Sequence, residues 1–329
     1  MSRLDLVFIT SCCCALAACG DDLARVPTDA PSTVPRDPGG SFTVHSELDL
    51  PLPAAATAAF QPLVDATDDP DDPSRYLLDR IVDQLPEGTV QTIARDAVPL
   101  LAAYLNEHLA EVAPRLVGGL DAIAQGLPAV ARHVGTTETW IVDPAGGATR
   151  IVTAVRFAPN GAPVELALAE HGLDDRVAAM QLELDHTRAI AIGNHALPFG
   201  YATLVRLGLD HAVIPGVDPG ATDLGTALTD LANCTQLGEL VANELDLGTP
   251  TVFAAACGAG MIAIASDVYA RIAAIDATAP LALELSGHAI GVDIDHDGTM
   301  DEVGGGTWTG SLGDVGPVGA ASFTGMKAP

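Results

Sequence analysis

Apolar positions along this chain alternate between two spacings, and each change of spacing predicts a change of element. Residues 42–50 alternate apolar and polar, which predicts a strand. From Tyr76 onward the spacing is three or four. Leu101, Leu105, Leu109, Val112, Leu116, Leu120, Ile123, Leu127, Val130 and Val134 make one stripe, as a helix face turned to a core would. Pro114 and Gly118-Gly119 interrupt it, predicting two helices or one strongly kinked helix, and Pro86 closes the helix before.

The period then falls to two. Ile151, Thr153, Val155 and Phe157 alternate, Asn160-Gly161 supplies a turn, and Val164, Leu166 and Leu168 return, predicting a hairpin. Met180, Leu182 and Leu184, then Ile190 and Ile192, extend it to an antiparallel sheet with residues 140–142 alongside. Helical spacing resumes at Leu224, Leu228, Leu231, Cys234, Leu237 and Leu240. After the Gly248-Thr249-Pro250 break it continues at Phe253, Cys257, Met261, Ile264 and Val268. A last run of period two takes in Leu281, Leu283, Leu285, Ile290, Val292, Trp308, Leu312 and Phe323.

This order lets the two strand sets join. It predicts one α+β domain over residues 42–329, an antiparallel sheet with one buried face packed against amphipathic helices. Apolar residues make up 48% of the 329, but aromatics only 4%, so small and aliphatic side chains must build the core.

The amino terminus differs from everything after it. Arg3 precedes an apolar stretch at 6–18 that is shorter than the ~20 residues a spanning helix needs, which predicts a cleaved secretory signal at 1–18. Its end, Leu16-Ala17-Ala18-Cys19, resembles the lipobox of bacterial lipoproteins. That resemblance implies cleavage before Cys19, a diacylglycerol on its sulfur and usually a third acyl chain on its amino group, enough for a stable membrane anchor. Gly20 at the next position implies the outer membrane under the best-known sorting rule. Residues 19–41, rich in Pro, Asp, Gly, Ser and Thr, read as lipidated cysteine and tether.

Charge narrows the partners. A net charge of -28 repels phosphate-rich partners, which argues against nucleic acid and leaves membrane attachment to the lipid anchor. Cys12, Cys13 and Cys14 leave with the signal and Cys19 is alkylated, so Cys234 and Cys257 remain. In an oxidising envelope compartment, and facing a core from adjacent helical stripes, they are expected to form a disulfide.

One local motif suggests a ligand. Residues 293–301 read D-x-D-x-D-G-x-x-D, which resembles the calcium loops of dockerins, thrombospondin type 3 repeats and EF-hands. The resemblance implies carboxylate ligands from Asp293, Asp295 and Asp297, a backbone carbonyl from Thr299, and Asp301 directly or through water. Gly304 stands where a bidentate Glu is expected, so calcium affinity should be weak, of order 10⁻⁴ to 10⁻³ M. The alternative is an Asp-rich hairpin turn. His186, His195 and His288 would need neighbouring strands to converge on a metal, and their spacing matches no zinc motif.

Neither GxSxG nor a phosphate loop occurs, and Gly304-Gly305-Gly306 lacks the Lys that binds phosphate. The leading expectation is a non-catalytic, membrane-anchored envelope lipoprotein. It would be a binding or structural module, with an apolar small molecule or lipid as its candidate ligand. A calcium-stabilised surface or adhesion module and an unrecognised hydrolase are the alternatives.

Overall fold

A computed structural model describes residues 34–329 apart from 69–72, 113, 160, 199, 247–249 and 278–280. The signal, Cys19 and the tether up to residue 33 lie outside the described residues, as do the side chains of Leu109 and Val112.

The strands are β1 (Gly40–Asp49), β2 (His133–Val142), β3 (Gly147–Phe157), β4 (Val164–Ala167), β5 (Arg176–Leu184), β6 (Ala189–Pro198), β7 (Ala282–Val292), β8 (Glu302–Leu312), β9 (Gly316–Pro317) and β10 (Ala321–Lys327). Antiparallel pairing runs β10-β1-β2-β3-β5-β6-β7-β8, and β8 pairs back onto β10, closing an eight-stranded barrel. Strands β4 and β9 are appendages on β3 and β8.

This corrects the α+β expectation of an open sheet packed on one face by helices. The buried face of the sheet is the inside of a barrel, packed against itself. Closure depends on the first strand pairing with the last, Phe42 opposite Lys327 and Leu48 opposite Ala321. The outward positions Thr43, His45, Glu47, Gln181, Glu183 and Glu284 are exposed, where a lipid-facing barrel would carry an apolar band.

Small residues sit opposite large ones inside. A side chain at Gly287 would meet the Trp308 ring at 2.7 Å, and one at Gly306 the Phe323 ring at 2.5 Å. Trp140, Trp308 and Phe323 form one aromatic cluster, with ring centroids 4.2 to 5.8 Å apart, so an interior of this strand number is filled by side chains.

Helices α1 (Ala54–Asp68), α2 (Pro73–Asp83), α3 (Thr89–Val112) and α4 (Pro114–Arg132) lie between β1 and β2. Helices α5 (Tyr201–Gly208), α6 (Ile214–Val217), α7 (Leu224–Ala232), α8 (Cys234–Glu244) and α9 (Pro250–Ala274) lie between β6 and β7. Because neighbouring strands are antiparallel, all these connections leave from the same end of the barrel. The two insertions pack on each other, α9 against α1 and α2, and cap that end. Tyr201 Oη donates to the Ala131 carbonyl at 2.8 Å, and Gly208 lies against the Phe157 ring.

The expected helix boundary at Pro114 is present, and the Leu224–Leu240 stripe is divided by Asn233, a left-handed residue at φ 47° between α7 and α8. Helix α9 is long and apolar enough to cross a membrane, but Phe253, Cys257, Met261, Ile264 and Val268 are buried in the body as a core face. The Cys234–Cys257 disulfide joins α8 to α9, with Cα atoms 5.5 Å apart.

The opposite end of the barrel holds the turns β2–β3, β5–β6 and β7–β8. Two are built alike: Asp143 Oδ1 accepts from the Ala145 and Gly147 amides, and Asp185 Oδ1 from those of Thr187 and Ala189. The body takes up the chain before residue 42. Arg36 and Asp37 amides donate to the Gly298 carbonyl, the Met300 amide donates to the Asp37 carbonyl, and Pro35 and Met300 pack over Gly291.

Candidate functional site

Of the buried polar or charged side chains among the described residues, Ser46, Thr136, Glu138, Arg150 and His195 cluster inside the barrel. Strand alternation puts them there. Thr136, Glu138 and Trp140 point inward from β2, Arg150 from β3, Ser46 from β1 and His195 from β6.

Glu138 and Arg150 are both fully buried and face each other through two bonds, Nε to Oε2 at 2.7 Å and Nη2 to Oε1 at 2.6 Å. Trp140 Nε1 donates to Oε2 at 2.8 Å, Ser46 Oγ to Oε1 at 3.1 Å, and Thr136 Oγ1 also to Oε1. The Trp308 Nε1 donates to Ser46 Oγ at 3.2 Å, and its ring lies 4.8 Å from the guanidinium carbon. Burial pushes the Glu138 carboxyl up, but the charge and bonds of Arg150 and the bonds from Thr136 and Trp140 outweigh it and hold it below its ordinary value.

His195 completes the cluster in one tautomer. Arg150 Nη1 stands 3.1 Å from its Nε2, and a guanidinium has no acceptor, so Nε2 must be the bare acceptor. Its Nδ1 is 3.0 Å from the Gly193 carbonyl and therefore carries the hydrogen. Burial lowers the His195 pKa, the Gly193 bond opposes that, and Arg150 adds to it. The cluster thus consumes its own polar groups, and a charged pair in low dielectric with its donors satisfied works as a lock for the barrel.

The cap holds the apolar spaces. One cavity lies between α2–α3 and α8–α9, against Leu78, Ile81, Leu101, Leu237, Phe253 and Cys257. A second adjoins it across Leu78, Ile81 and Leu237 and reaches Ser74, Leu105 and Met261. Each has a volume of about 10 Å³, on the order of one water molecule. The Ser74 hydroxyl is buried in the second with no hydrogen-bond partner among the described residues, although its amide donates to Asn106 Oδ1 at 3.0 Å. A third small cavity lies where α5 meets the barrel mouth, between Thr136, Leu197 and Leu204.

An open groove of about 510 Å³ runs along α7 and α9 past Asp223, Thr226, Asp230, Ile262 and Tyr269. At its floor Tyr269 Oη donates to Asp210 and accepts from the Leu224 amide at 2.9 Å. Burial raises the Asp210 carboxyl, against the Tyr269 bond and the charge of Arg206.

The residues singled out by sequence fall in different places. Asp293, Asp295 and Asp297 come together in the β7–β8 loop, with one carboxylate oxygen of each within 4.8 Å of the others. Asp301 turns elsewhere: Oδ2 accepts from the Ile294 amide at 2.9 Å, and Oδ1 is 3.8 Å from Lys327 Nζ. Thr299 donates through its amide and hydroxyl to Asp297 Oδ1, both at 2.7 Å, which with Lys327 holds the Asp297 carboxyl below its ordinary value. His195 points into the barrel, His288 outward from β7, and His186 sits exposed in the β5–β6 turn, so the three do not meet. Gly304-Gly305-Gly306 lies within β8.

Sequence reasoning missed Glu138 and Arg150. The parity of Trp140 and Val142 gives the signal for Glu138, since residue 138 shares their face. No family model, curated protein or solved structure matches this chain.

Proposed function

We propose that this chain is a non-catalytic envelope lipoprotein, held on the outer membrane through lipid on Cys19, whose helical cap binds an apolar molecule carrying one polar group. The barrel is its rigid base: its interior side chains are spent on each other. A barrel fold is compatible with carrying an apolar ligand, but this barrel is filled, and the adjoining apolar cavities lie in the cap.

The observation that carries this reading is Ser74. A buried hydroxyl without a partner costs about 1–3 kcal/mol, and it lies among Leu77, Leu78, Leu105, Leu116 and Met261, where the polar tip of an otherwise apolar ligand would satisfy it. As the cap stands, its cavities are too small for such a molecule. The disulfide keeps α8 with α9, so entry requires the α2–α3 pair to part from the α8–α9 pair.

The test removes the hydroxyl. Ser74→Ala should weaken stabilisation of the domain by long-chain fatty acids or alcohols, measured as a melting shift, while Ile262→Ala in the α7–α9 groove leaves it intact. Equal shifts in the wild type and in Ser74→Ala would refute the cap site.

A further inference from the structure

The three turns at the barrel end facing the amino-terminal segment differ in one respect. In two of them the opening carboxylate is spent on backbone amides, as Asp143 and Asp185 are. In the third, Asp293 is 2% exposed and its Oδ2 accepts from the Gly298 amide at 3.0 Å, but its Oδ1 is buried with no hydrogen-bond partner among the described residues. That carboxylate belongs to the cluster in which oxygens of Asp293, Asp295 and Asp297 lie within 4.8 Å of one another.

Three like charges this close repel, and a buried carboxylate oxygen without a donor is costly. The nearby cation relieves them only in part: Lys327 acts on Asp297 through space, while its Nζ donates to Thr299 Oγ1 at 2.8 Å and pairs with Asp301. The loop itself is set by its own bonds, with the Asp297 amide on Asp295 Oδ1 at 3.2 Å and left-handed residues at His296 and Gly298. An oxygen-seeking divalent cation fits this arrangement. Calcium takes carboxylate oxygens at ~2.3–2.6 Å in flexible geometry and tolerates an irregular set of this kind, whereas magnesium demands near-octahedral geometry at ~2.0–2.1 Å and keeps several of its waters.

The same loop grips the incoming chain. Gly298, whose amide is bound by Asp293, presents its carbonyl to the amides of Arg36 at 2.8 Å and Asp37 at 3.2 Å, and Met300 donates to the Asp37 carbonyl at 2.9 Å. Met300 is fully buried over Gly291 beside Pro35. We propose that Asp293, Asp295 and Asp297 hold one calcium ion, and that this ion fastens residues 35–37 to the barrel. Residues 35–37 are then held firmly on the barrel when calcium is present and loosely when it is withdrawn.

The test uses the chain from residue 20, which leaves out the signal and the lipid-bearing Cys19, with calcium titrated calorimetrically and amide exchange followed by mass spectrometry in chelator, calcium and magnesium. The wild type should bind one calcium. If the dissociation constant is about 10⁻⁴ M, 5 mM calcium should slow exchange at Arg36, Asp37 and Met300 about fifty-fold. Magnesium should do far less. Asp295→Ala removes an exposed ligand, so it should fold, show no calcium binding and exchange these amides at the chelator rate of the wild type. Absence of binding at 5 mM, equal protection by magnesium, or binding that leaves exchange at residues 36 and 37 unchanged would each overturn the proposal.

Discussion

Arg150 Nη1 donates to His195 Nε2 at 3.1 Å inside the barrel, and this one bond fixes the protonation state of the histidine. A second proton on the ring would face a guanidinium that is 0% exposed and already paired with Glu138. The neutral imidazole is therefore part of the folded structure, and its titration is linked to stability.

The sign follows from the direction of the shift. The folded His195 pKa lies below the value near 6.5 of the unfolded chain, so at lower pH the unfolded state binds more protons. Stability should be full above about pH 6.5 and fall as the pH drops below it. His195→Asn should flatten this dependence between pH 5 and 7. A residual slope of the same sign remains from His211, whose pKa burial and His171 also lower. Urea unfolding at a series of pH values measures both slopes, and parallel slopes would remove His195 from the account.

The Glu138–Arg150 pair should be costly to break from either side. Arg150→Met leaves a buried carboxylate facing only neutral donors and should cost about 3–5 kcal/mol. Glu138→Gln with Arg150→Met removes the net charge, so the double variant should be more stable than Arg150→Met alone. Chemical unfolding of the wild type, Arg150→Met, Glu138→Gln and the double variant gives the coupling.

The glycines inside the barrel test its filling. Gly287→Ala places a methyl 2.7 Å from the Trp308 ring and should cost about 1–3 kcal/mol by overpacking. Gly88→Ala is no control, because its φ of 145° is itself unfavourable for a side chain; Gly118→Ala, on an open stretch of α4, is one and should be neutral or stabilising.

Reduction of Cys234–Cys257 should cost about 3 kcal/mol in the chain-entropy description of a loop this size. It also frees α8 from α9. A melt with and without reductant measures the first effect, and uptake of an apolar probe by the cap in both states measures the second.

Much of this arrangement was legible from spacing. The helix stripes, apart from Val134, which lies in β2, together with the break at Pro114, the β3–β4 hairpin and the disulfide partners follow from local pattern. Closure of the barrel did not, because Phe42 and Lys327 pair across almost the whole chain, and no local period reports a partner so distant. Parity misled in two strands for a physical reason. Ile151 and Ile290 look like core residues, yet the inward set is Ala148, Arg150 and Val152 in β3 and Gly287, Ala289 and Gly291 in β7. In β3 the phase changes at an irregularity opposite Thr137 and Glu138, after which Val155 and Phe157 face in. In β7 the inward positions are small because Trp308 and Met300 occupy the space. Arg150, a charged residue out of phase with Ile151, looks like a solvent position until its partner strand is known. The Ser74 hydroxyl left no sequence signal, since its burial depends on α2, α4 and α9 meeting.

Native mass spectrometry of the soluble body, released from its own cells without delipidating detergent, shows whether the cap carries a ligand. A bound apolar molecule with a single polar group should be present in the wild type at near-stoichiometric occupancy and depleted in Ser74→Ala. A wild-type body that carries no such adduct, and acquires none when incubated with long-chain fatty acids or alcohols, would contradict the cap site.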